Sequence, residues 1–163
     1  MKPIVLATDG SISATEATLE AIELAEAFDA PLVAVSVEHV TLPSYGYYGY
    51  GEIVQELTRI ESEHVEQTLE QVRTAAAEAG VECETIHGTG STVDKICAAA
   101  KQHDARLIVI GAHGWGPIRR AFHGSVSTAV LHQAPCPVLV VPGVHEPIAE
   151  DAEVVMLEPG LHT

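Results

Sequence analysis

Five short apolar runs recur along the chain, and segments with a helical pattern separate each run from the next. Runs without polar alternation are typical of strands that are covered on both faces. Parallel strands need a crossover of a dozen or more residues, and a helix usually supplies it. We therefore predict an α/β fold: a single doubly wound, Rossmann-like parallel sheet of five strands, with helices on both faces and right-handed crossovers. The predicted strands are residues 3–7, 31–37, 81–87, 106–110 and 137–141.

Helical periodicity predicts which faces of the first two helices contact the sheet. Ser13 and Glu16 have the spacing of a capping box and predict the start of the first helix. The predicted core face of this helix consists of Ala14, Ala17, Ala21, Leu24, Ala25 and Phe28. The predicted core face of the long second helix, which ends at Gly80, consists of Ile53, Leu57, Ile60, His64, Val72, Ala75 and Ala79.

The length of 163 residues suits one domain with a sizeable core. We predict that this domain occupies residues 1–142 and that an acidic tail follows at residues 143–163. The tail carries five acidic residues and the apolar cluster "VVML"; packing against the body, contact with a partner and a loose tail are all open alternatives. Because Pro137 has no N–H group for a ladder, we predict that the fifth strand lies at an edge of the sheet.

The chain carries 23 acidic and 8 basic residues, a formal net charge of −15. Such a surface repels phosphate backbones and anionic lipids, so we expect no nucleic-acid partner and no membrane partner. No apolar run approaches the roughly 20 residues of a transmembrane helix, and the N-terminal run is too short for a signal peptide. We therefore expect a soluble, cytoplasmic protein. The three cysteines and nine histidines form no CxxC, HxH or HxxxH pair, so we expect neither a disulfide framework nor a dedicated metal site.

The glycine-rich segment, residues 111–127, follows the fourth predicted strand and opens the last helix. In an open parallel sheet, the loops at the carboxyl ends of the strands form the ligand crevice. Gly111 and Gly114 allow a ligand to approach backbone N–H groups closely. Gly124 and Ser125 begin a helix, whose free N–H groups and positive dipole end favour an anion. Together they predict a phosphate site, and the nine residues between Gly114 and Gly124 can surround a di- or triphosphate.

Two common nucleotide signatures are absent from the sequence. There is no GxxxxGK[ST], so the lysine-bearing P-loop is missing. The order GxxGxG in "GAHGWG", after the fourth strand, does not fit the dinucleotide fingerprint GxGxxG, which follows a first strand. Without a P-loop lysine or a carboxylate that can be assigned to position a water, we assign no catalytic residue.

The spacing Gly111-x2-Gly114-x9-Gly124-Ser125 resembles the nucleotide-binding motif of the universal stress protein family, in its ATP-binding branch. The resemblance extends to "VLATDGS" at the first strand, "GTGSTVDKI" before the third crossover helix and "PCPVLVVP" at the last strand. These landmarks stand in the family's order and cover about residues 1–142. The ordered set is far more specific than a single glycine motif.

The resemblance implies the strand order 3-2-1-4-5, ATP bound with Mg²⁺ or Mn²⁺, and a homodimer through the edge strand that runs from Pro137 to Val141. It implies that Ala7 lies near the adenine edge and that the backbone of Val37 reads adenine. Asp9 would lie near the ribose and within reach of a metal bound with ATP. The residues implied to hold the phosphates are Gly111, Gly114, Gly124, Ser125 and Ser127.

The function implied by the resemblance is that of an ATP-binding regulatory module in the stress response, rather than a fast enzyme. Such a module reports its nucleotide state through its dimer or an unknown protein partner. A slow ATPase or nucleotidyl-transfer enzyme is an alternative, and it predicts that Asp9 is needed for turnover but not for binding. A cyclic-AMP-binding protein and a nucleotide-free stress protein are further alternatives, although the phosphate site is larger than one cyclic phosphate needs.

Ordinary structural roles stand beside these binding roles. Asp9 can cap the first helix or close an Asx turn, and Ser125 and Ser127 suit any helix start. Arg119 and Arg120 are either a solvated pair or a contact for a terminal phosphate. The loop "YGYYGYGE" is compatible with a lid over the base, a dimer contact or a flexible connection.

Overall fold

The computed structural model describes residues 1–39, 51–112 and 124–143, which form five strands and four helices. The tyrosine–glycine loop, the centre of the glycine-rich segment and the tail after Gly143 lie outside the described residues. In chain order the elements are β1 (Ile4–Ala7), α1 (Ile12–Phe28), β2 (Leu32–Glu38), α2 (Gly51–Glu78), β3 (Cys83–Thr89), α3 (Thr92–Gln102), β4 (Leu107–Gly111), α4 (Ser125–Gln133) and β5 (Val138–Val141).

The five strands form one parallel sheet in the order β3-β2-β1-β4-β5, which confirms the predicted fold class and strand order. The central strand β1 pairs with β2 on one side and with β4 on the other. The chain moves outward from β1 to β3 and then crosses back to β4, so the direction of winding reverses between β1 and β4. The crevice at the carboxyl ends of these two strands is where ligands bind in open sheets of this kind.

Helices cover both faces of the sheet, and each face has its own apolar core. Along β1, Ile4 and Leu6 contact the core under α1 and α2, whereas Val5 and Ala7 contact the core under α3 and α4. All four residues of this strand are buried. Burial on both faces is the physical reason that the strand is a continuous apolar run.

The start of α1 differs from the prediction. Ser11, not Ser13, is the N-cap, and its Oγ accepts a hydrogen bond from the Ala14 N–H at 3.3 Å. Gly10, the residue before this cap, adopts a left-handed backbone conformation with a φ of 75°. The turn that follows β1 ends there. Ser13 is buried in the first helical turn. The capping-box pattern was therefore wrong by two residues, because the turn geometry at Gly10 decides where the helix begins.

Both predicted core faces were partly wrong. Phe28, at the end of α1, is partly exposed, and the Arg106 guanidinium packs over its ring at 4.0 Å. In α2 the first three predicted core residues, Ile53, Leu57 and Ile60, are exposed. The buried residues of α2 are Val65, Thr68, Leu69, Val72 and Ala76.

The length of α2 explains the exposure of its first turns. The helix has 28 residues and is about 42 Å long. The neighbouring β2 has seven residues and spans about 23 Å. Because the chain enters α2 from the carboxyl end of β2, the first turns of the helix extend past that edge of the sheet. Periodicity identifies a face, but it does not identify where the sheet stops.

The strand β5 lies at one edge of the sheet, as Pro137 predicted. All four of its residues are half-buried, in contrast to the fully buried β1. The Ile108 N–H donates to the Pro137 carbonyl at 3.0 Å, so the proline contributes only its acceptor to the ladder. In the part of the chain that the structure describes, no helix combines the length and the hydropathy needed to cross a membrane.

Candidate functional site

The turn after β1 places Asp9 at the mouth of the crevice. Ala7 is buried and pairs with Ile110 of β4, and the Thr8 N–H continues the ladder to the Val35 carbonyl at 3.0 Å. The Ser11 N–H donates to Oδ1 of Asp9 at 3.0 Å, which closes an Asx turn. Asp9 therefore closes an Asx turn, one of the structural roles that the sequence left open. The residue is half-buried and lies just beyond the carboxyl end of β1.

Val37 stands near the end of β2, two residues beyond the position that pairs with Ala7. It pairs with Gly88 of β3, where a Cβ atom would lie 3.0 Å from Cγ2 of Val37. The end of β2 therefore lies beside the turn that carries Asp9. Ala7, Asp9 and Val37 thus lie at the carboxyl ends of two neighbouring strands, and the ligand role of each stays a prediction.

Gly111 ends β4 against the first turn of α1. A Cβ atom at this position would lie 2.8 Å from the carbonyl carbon, the carbonyl oxygen and Oγ of Ser13. Real Cβ atoms essentially never approach other atoms so closely, and the backbone of a helical turn cannot give way cheaply. Packing of α1 against β4 is thus a reason for glycine at position 111 that the sequence did not predict, and the predicted phosphate approach stays a prediction. Gly143, after β5, faces the same serine, with its Cβ position 3.3 Å from the Ser13 Cβ.

A hydrogen bond joins Ala112 and Gly124, the residues on either side of positions 113–123, and we call this contact the neck. The Gly124 N–H donates to the Ala112 carbonyl at 2.8 Å. Oγ of Ser127 donates to the Gly124 carbonyl at 3.0 Å, and the side chain is almost completely buried. The Ala112 N–H in turn donates to the Val141 carbonyl at 2.8 Å, which fixes the neck to the edge strand. Ala112 and Gly124 therefore lie next to each other at the carboxyl end of β4. The eleven residues between them, which include Gly114, Arg119 and Arg120, lie outside the described residues.

The N-terminus of α4 is built differently from those of α1 and α3. Ser11 and Ser91 cap α1 and α3 with their side chains, whereas the N-cap of α4 is Gly124, which has no side chain to do so. The first bond of the helix runs from the Thr128 N–H to the Gly124 carbonyl at 3.0 Å. The preceding N–H groups, which begin at the exposed Ser125, are capped by none of the described side chains. This end of the helix presents donors and a positive partial charge at the crevice.

Two residues of α2 contact the chain just beyond β1 and β2, and neither was predicted to do so. His64, predicted as part of the apolar face of α2, lies with Nε2 3.1 Å from the Asp9 carbonyl oxygen. Glu61, one turn earlier, accepts a hydrogen bond from the His39 N–H at 3.0 Å. Together with Thr68 they form a polar stripe at spacings of three and four residues. That stripe, interrupting an apolar face, is the signal that could have identified them.

Cysteines and metal ligands are not concentrated at this crevice. Cys83, Cys97 and Cys136 are free, half-buried thiols. Burial raises the pKa of each thiol, so each is a poor thiolate near neutral pH. Within residues 1–39, 51–112 and 124–143, no group of three His, Cys, Asp or Glu side chains could hold a metal ion.

Comparisons with known proteins agree with this architecture. The family model of the universal stress protein family matches residues 1–142. The universal stress protein MJ0531 of Methanocaldococcus jannaschii is 37% identical, over 86% of this chain and 81% of that one. The solved structure of UspA from Lactobacillus plantarum is 29% identical, with a TM-score of 0.76 over 86% of this chain and 97% of that one. A universal stress protein from Archaeoglobus fulgidus, solved in complex with dAMP, is 27% identical, with a TM-score of 0.61 over 86% and 98%.

Proposed function

This chain belongs to the universal stress protein family, and we propose that it binds ATP as a regulatory module of the stress response rather than as a fast enzyme. One observation carries the proposal. The Gly124 N–H closes an eleven-residue loop onto Ala112, directly beside a helix N-terminus that no described side chain caps. Such a helix end binds phosphate through its backbone N–H groups and its dipole. The dAMP complex of the Archaeoglobus fulgidus relative supports an adenine nucleotide as the ligand.

We assign the adenosine part of ATP to the ends of β1 and β2. Ala7 and the backbone of Val37 would contact adenine, and Asp9 would contact the ribose. The half-buried position of Asp9 supports this assignment, because a side chain there can contact a ligand while its Asx turn holds it in place. Its Oδ1 atom already accepts the Ser11 N–H, so ribose binding and turn formation share one carboxylate.

We assign phosphate binding to Gly111, Gly114, Gly124, Ser125 and Ser127. Ser125 is exposed at the start of α4, whereas Ser127 is buried and donates to the Gly124 carbonyl. Of these two serines, Ser125 would contact the phosphates directly. Ser127 would act indirectly, by holding Gly124 in place through its hydrogen bond. A divalent cation would be held chiefly by the phosphate oxygens, with Asp9 as the protein carboxylate, since Mg²⁺ prefers oxygen ligands.

The first prediction is that ATP stabilises the protein against thermal unfolding. At a hundredfold excess over its dissociation constant, a ligand of the folded state adds about 2.7 kcal/mol, which corresponds to about 5–10 °C for a domain of this size. We would compare Mg-ATP with ADP, AMP, cyclic AMP and NADH, after denaturing an aliquot to identify any nucleotide that copurifies. A shift largest with ATP, without steady release of ADP, is the expected result. Equal shifts with ATP and cyclic AMP, or no shift with any nucleotide, would contradict the ATP assignment.

We also propose a cytoplasmic homodimer formed through β5. The Ile108 and Ala112 N–H groups donate to the Pro137 and Val141 carbonyls. Backbone groups of successive residues point to opposite edges of a strand, so those of Val138 and Val140 point away from β4. A row of outward N–H and C=O groups on a half-buried apolar strand is suited to pairing with a second copy.

The second prediction is that Val140→Pro converts the dimer to a monomer while the domain stays folded. Proline removes the outward N–H of residue 140 and is tolerated on edge strands, where no ladder bond to β4 is lost. Val140→Thr keeps the shape and the N–H, and serves as the matched control that should remain dimeric. The measurement is light scattering coupled to size exclusion, with circular dichroism to check the fold. A monomeric unaltered protein, or a dimeric proline variant, would contradict an edge-strand dimer.

A further inference from the structure

We propose that His64 is a positioning residue for the nucleoside half of the site, and that it acts on Asp9 through the main-chain carbonyl of that residue. The inference rests on the proposed function and deepens it, because it names a contact outside the loops that would touch the nucleotide. His64 lies on α2, 55 positions along the chain from Asp9, so the contact is a tertiary one. Both residues of this contact belong to the described part of the chain.

The hydrogen bond fixes one ring atom of His64 as the donor. Nε2 lies 3.1 Å from the Asp9 carbonyl oxygen. A carbonyl only accepts, so Nε2 carries the proton and donates it. The ring also lies against the next residue, because Cε1 and Nε2 of His64 are each 3.4 Å from the position of a Cβ atom on Gly10. Oγ1 of Thr68, one turn later, is 2.9 Å from the same position.

The turn that His64 contacts has little freedom to move independently. Gly10 has a φ of 75°, and the Asp9 carboxylate accepts the Ser11 N–H. The peptide group between Asp9 and Gly10 contains the Asp9 carbonyl and the Gly10 N–H. Its rotation would therefore change the φ of Gly10 and disturb the hydrogen bond between Asp9 and Ser11 at the same time. A donor on that carbonyl therefore restrains the orientation of the Asp9 side chain as well as the backbone.

The same helix also holds the end of the neighbouring strand. Glu61 accepts the His39 N–H at 3.0 Å, two residues beyond Val37. The first contact fixes α2 to the end of β1, and the second fixes it to the end of β2. These are the two places assigned to ribose and adenine, so α2 contacts both, in addition to the Thr8–Val35 ladder bond that already joins the two strands. The N-terminal half of this helix thus has a role in the site although it extends beyond the sheet.

The test compares His64→Ala with His64→Gln, whose side-chain amide nitrogen can occupy the place of Nε2 and donate to the same carbonyl. We expect His64→Ala to lower ATP affinity about threefold to tenfold, the size of one net hydrogen bond, and His64→Gln to restore most of it. Binding of inorganic tripolyphosphate, which has no ribose, should stay within about twofold of the unaltered protein. On an Asp9→Ala background, the additional loss from His64→Ala should be small, because the group it positions is gone.

A ligand-free measurement separates the inference from the proposed function. Amide hydrogen exchange at Ser11, whose N–H is bonded to Asp9, should accelerate in His64→Ala and return toward the original rate in His64→Gln. Unchanged exchange at Ser11, equal losses for ATP and tripolyphosphate, or no rescue by glutamine would overturn the positioning role. Absence of ATP binding by the unaltered protein would overturn the proposed function and, with it, the assignment of His64 to a nucleoside site.

Discussion

Replacing Gly111 with alanine is expected to lower the free energy of unfolding by about 1–3 kcal/mol and to weaken ATP binding. The added Cβ would lie 2.8 Å from three atoms of Ser13, two of which belong to the backbone of α1. The first turn of α1 must then move away from β4. Because Asp9 and the Ser11 cap immediately precede this turn, the displacement reaches the assigned ribose contact. Urea unfolding and calorimetric titration with ATP measure the two effects.

The matched control for this substitution is Gly51→Ala. Gly51 begins α2, does not need a left-handed backbone, and has no tertiary neighbour among the described residues within 4 Å of its Cβ position. Alanine there should be neutral or stabilising by up to about 1 kcal/mol, because glycine is the weaker helix former. A Gly111→Ala variant as stable as the Gly51→Ala control would show that the contact with Ser13 relaxes without cost. A destabilised variant with unchanged ATP affinity would leave Gly111 with a packing role alone.

The fold was predictable from local pattern because its strands are buried on both faces. Each strand lies within two residues of its predicted position. The apolar run at β1 and the helix that follows it are both local features, and they determine a parallel sheet with crossovers. The order of the strands is a long-range property, and it came from the family resemblance rather than from periodicity.

Local pattern predicted where two glycines of the candidate site stand in the fold, but not the tertiary contacts around them. The sequence placed Gly111 at the end of the fourth strand and Gly124 at the start of the last helix, and the structure has them at the end of β4 and at the N-cap of α4. The phosphate roles of these glycines stay predictions. The polar stripe of α2 marks His64 as a candidate, but no local pattern identifies Asp9, 55 positions away, as its partner. The N-cap of α1 was missed because the spacing of Ser13 and Glu16 does not reveal the left-handed turn at Gly10, whose Cβ position lies 2.9 Å from Oγ1 of Thr68 in α2.

The charge balance places an additional requirement on an ATP site. The chain has a net charge of −15, and several of its cations are engaged in surface ion pairs. These pairs join Lys2 with Asp104, Arg59 with Glu56 and Glu63, and Arg73 with Glu70. Attraction for the phosphates would therefore come from backbone N–H groups, the α4 dipole and a divalent cation, with Arg119 and Arg120 as the cations inside the loop. This explains why the proposed ligand is Mg-ATP rather than free ATP.

Gly114→Val is expected to lower ATP affinity by at least about tenfold, or about 1.4 kcal/mol, without dissociating the dimer. A branched side chain at this position keeps a phosphate from approaching the backbone N–H groups, which glycine leaves accessible. The substitution alters none of the described core residues, so we expect the stability of the domain to change little. The prediction rests on the glycine spacing, since residue 114 lies outside the described residues.

Gly116→Val is the control for Gly114→Val, because it adds the same side chain to the same loop outside the Gly-x2-Gly-x9-Gly-Ser spacing. Its ATP affinity should remain within about threefold of the unaltered protein, since a substitution away from the assigned contacts usually changes a free energy by about 0.5 kcal/mol or less. Calorimetric titration with Mg-ATP and light scattering on the same samples measure affinity and dimer together. Equal losses at both positions would mean that the loop is sensitive to bulk everywhere, and normal ATP binding by Gly114→Val would mean that the phosphates lie elsewhere. A loss at position 114 alone would assign the phosphate contact to the backbone at that glycine, with the Gly124–Ala112 neck holding the loop in place.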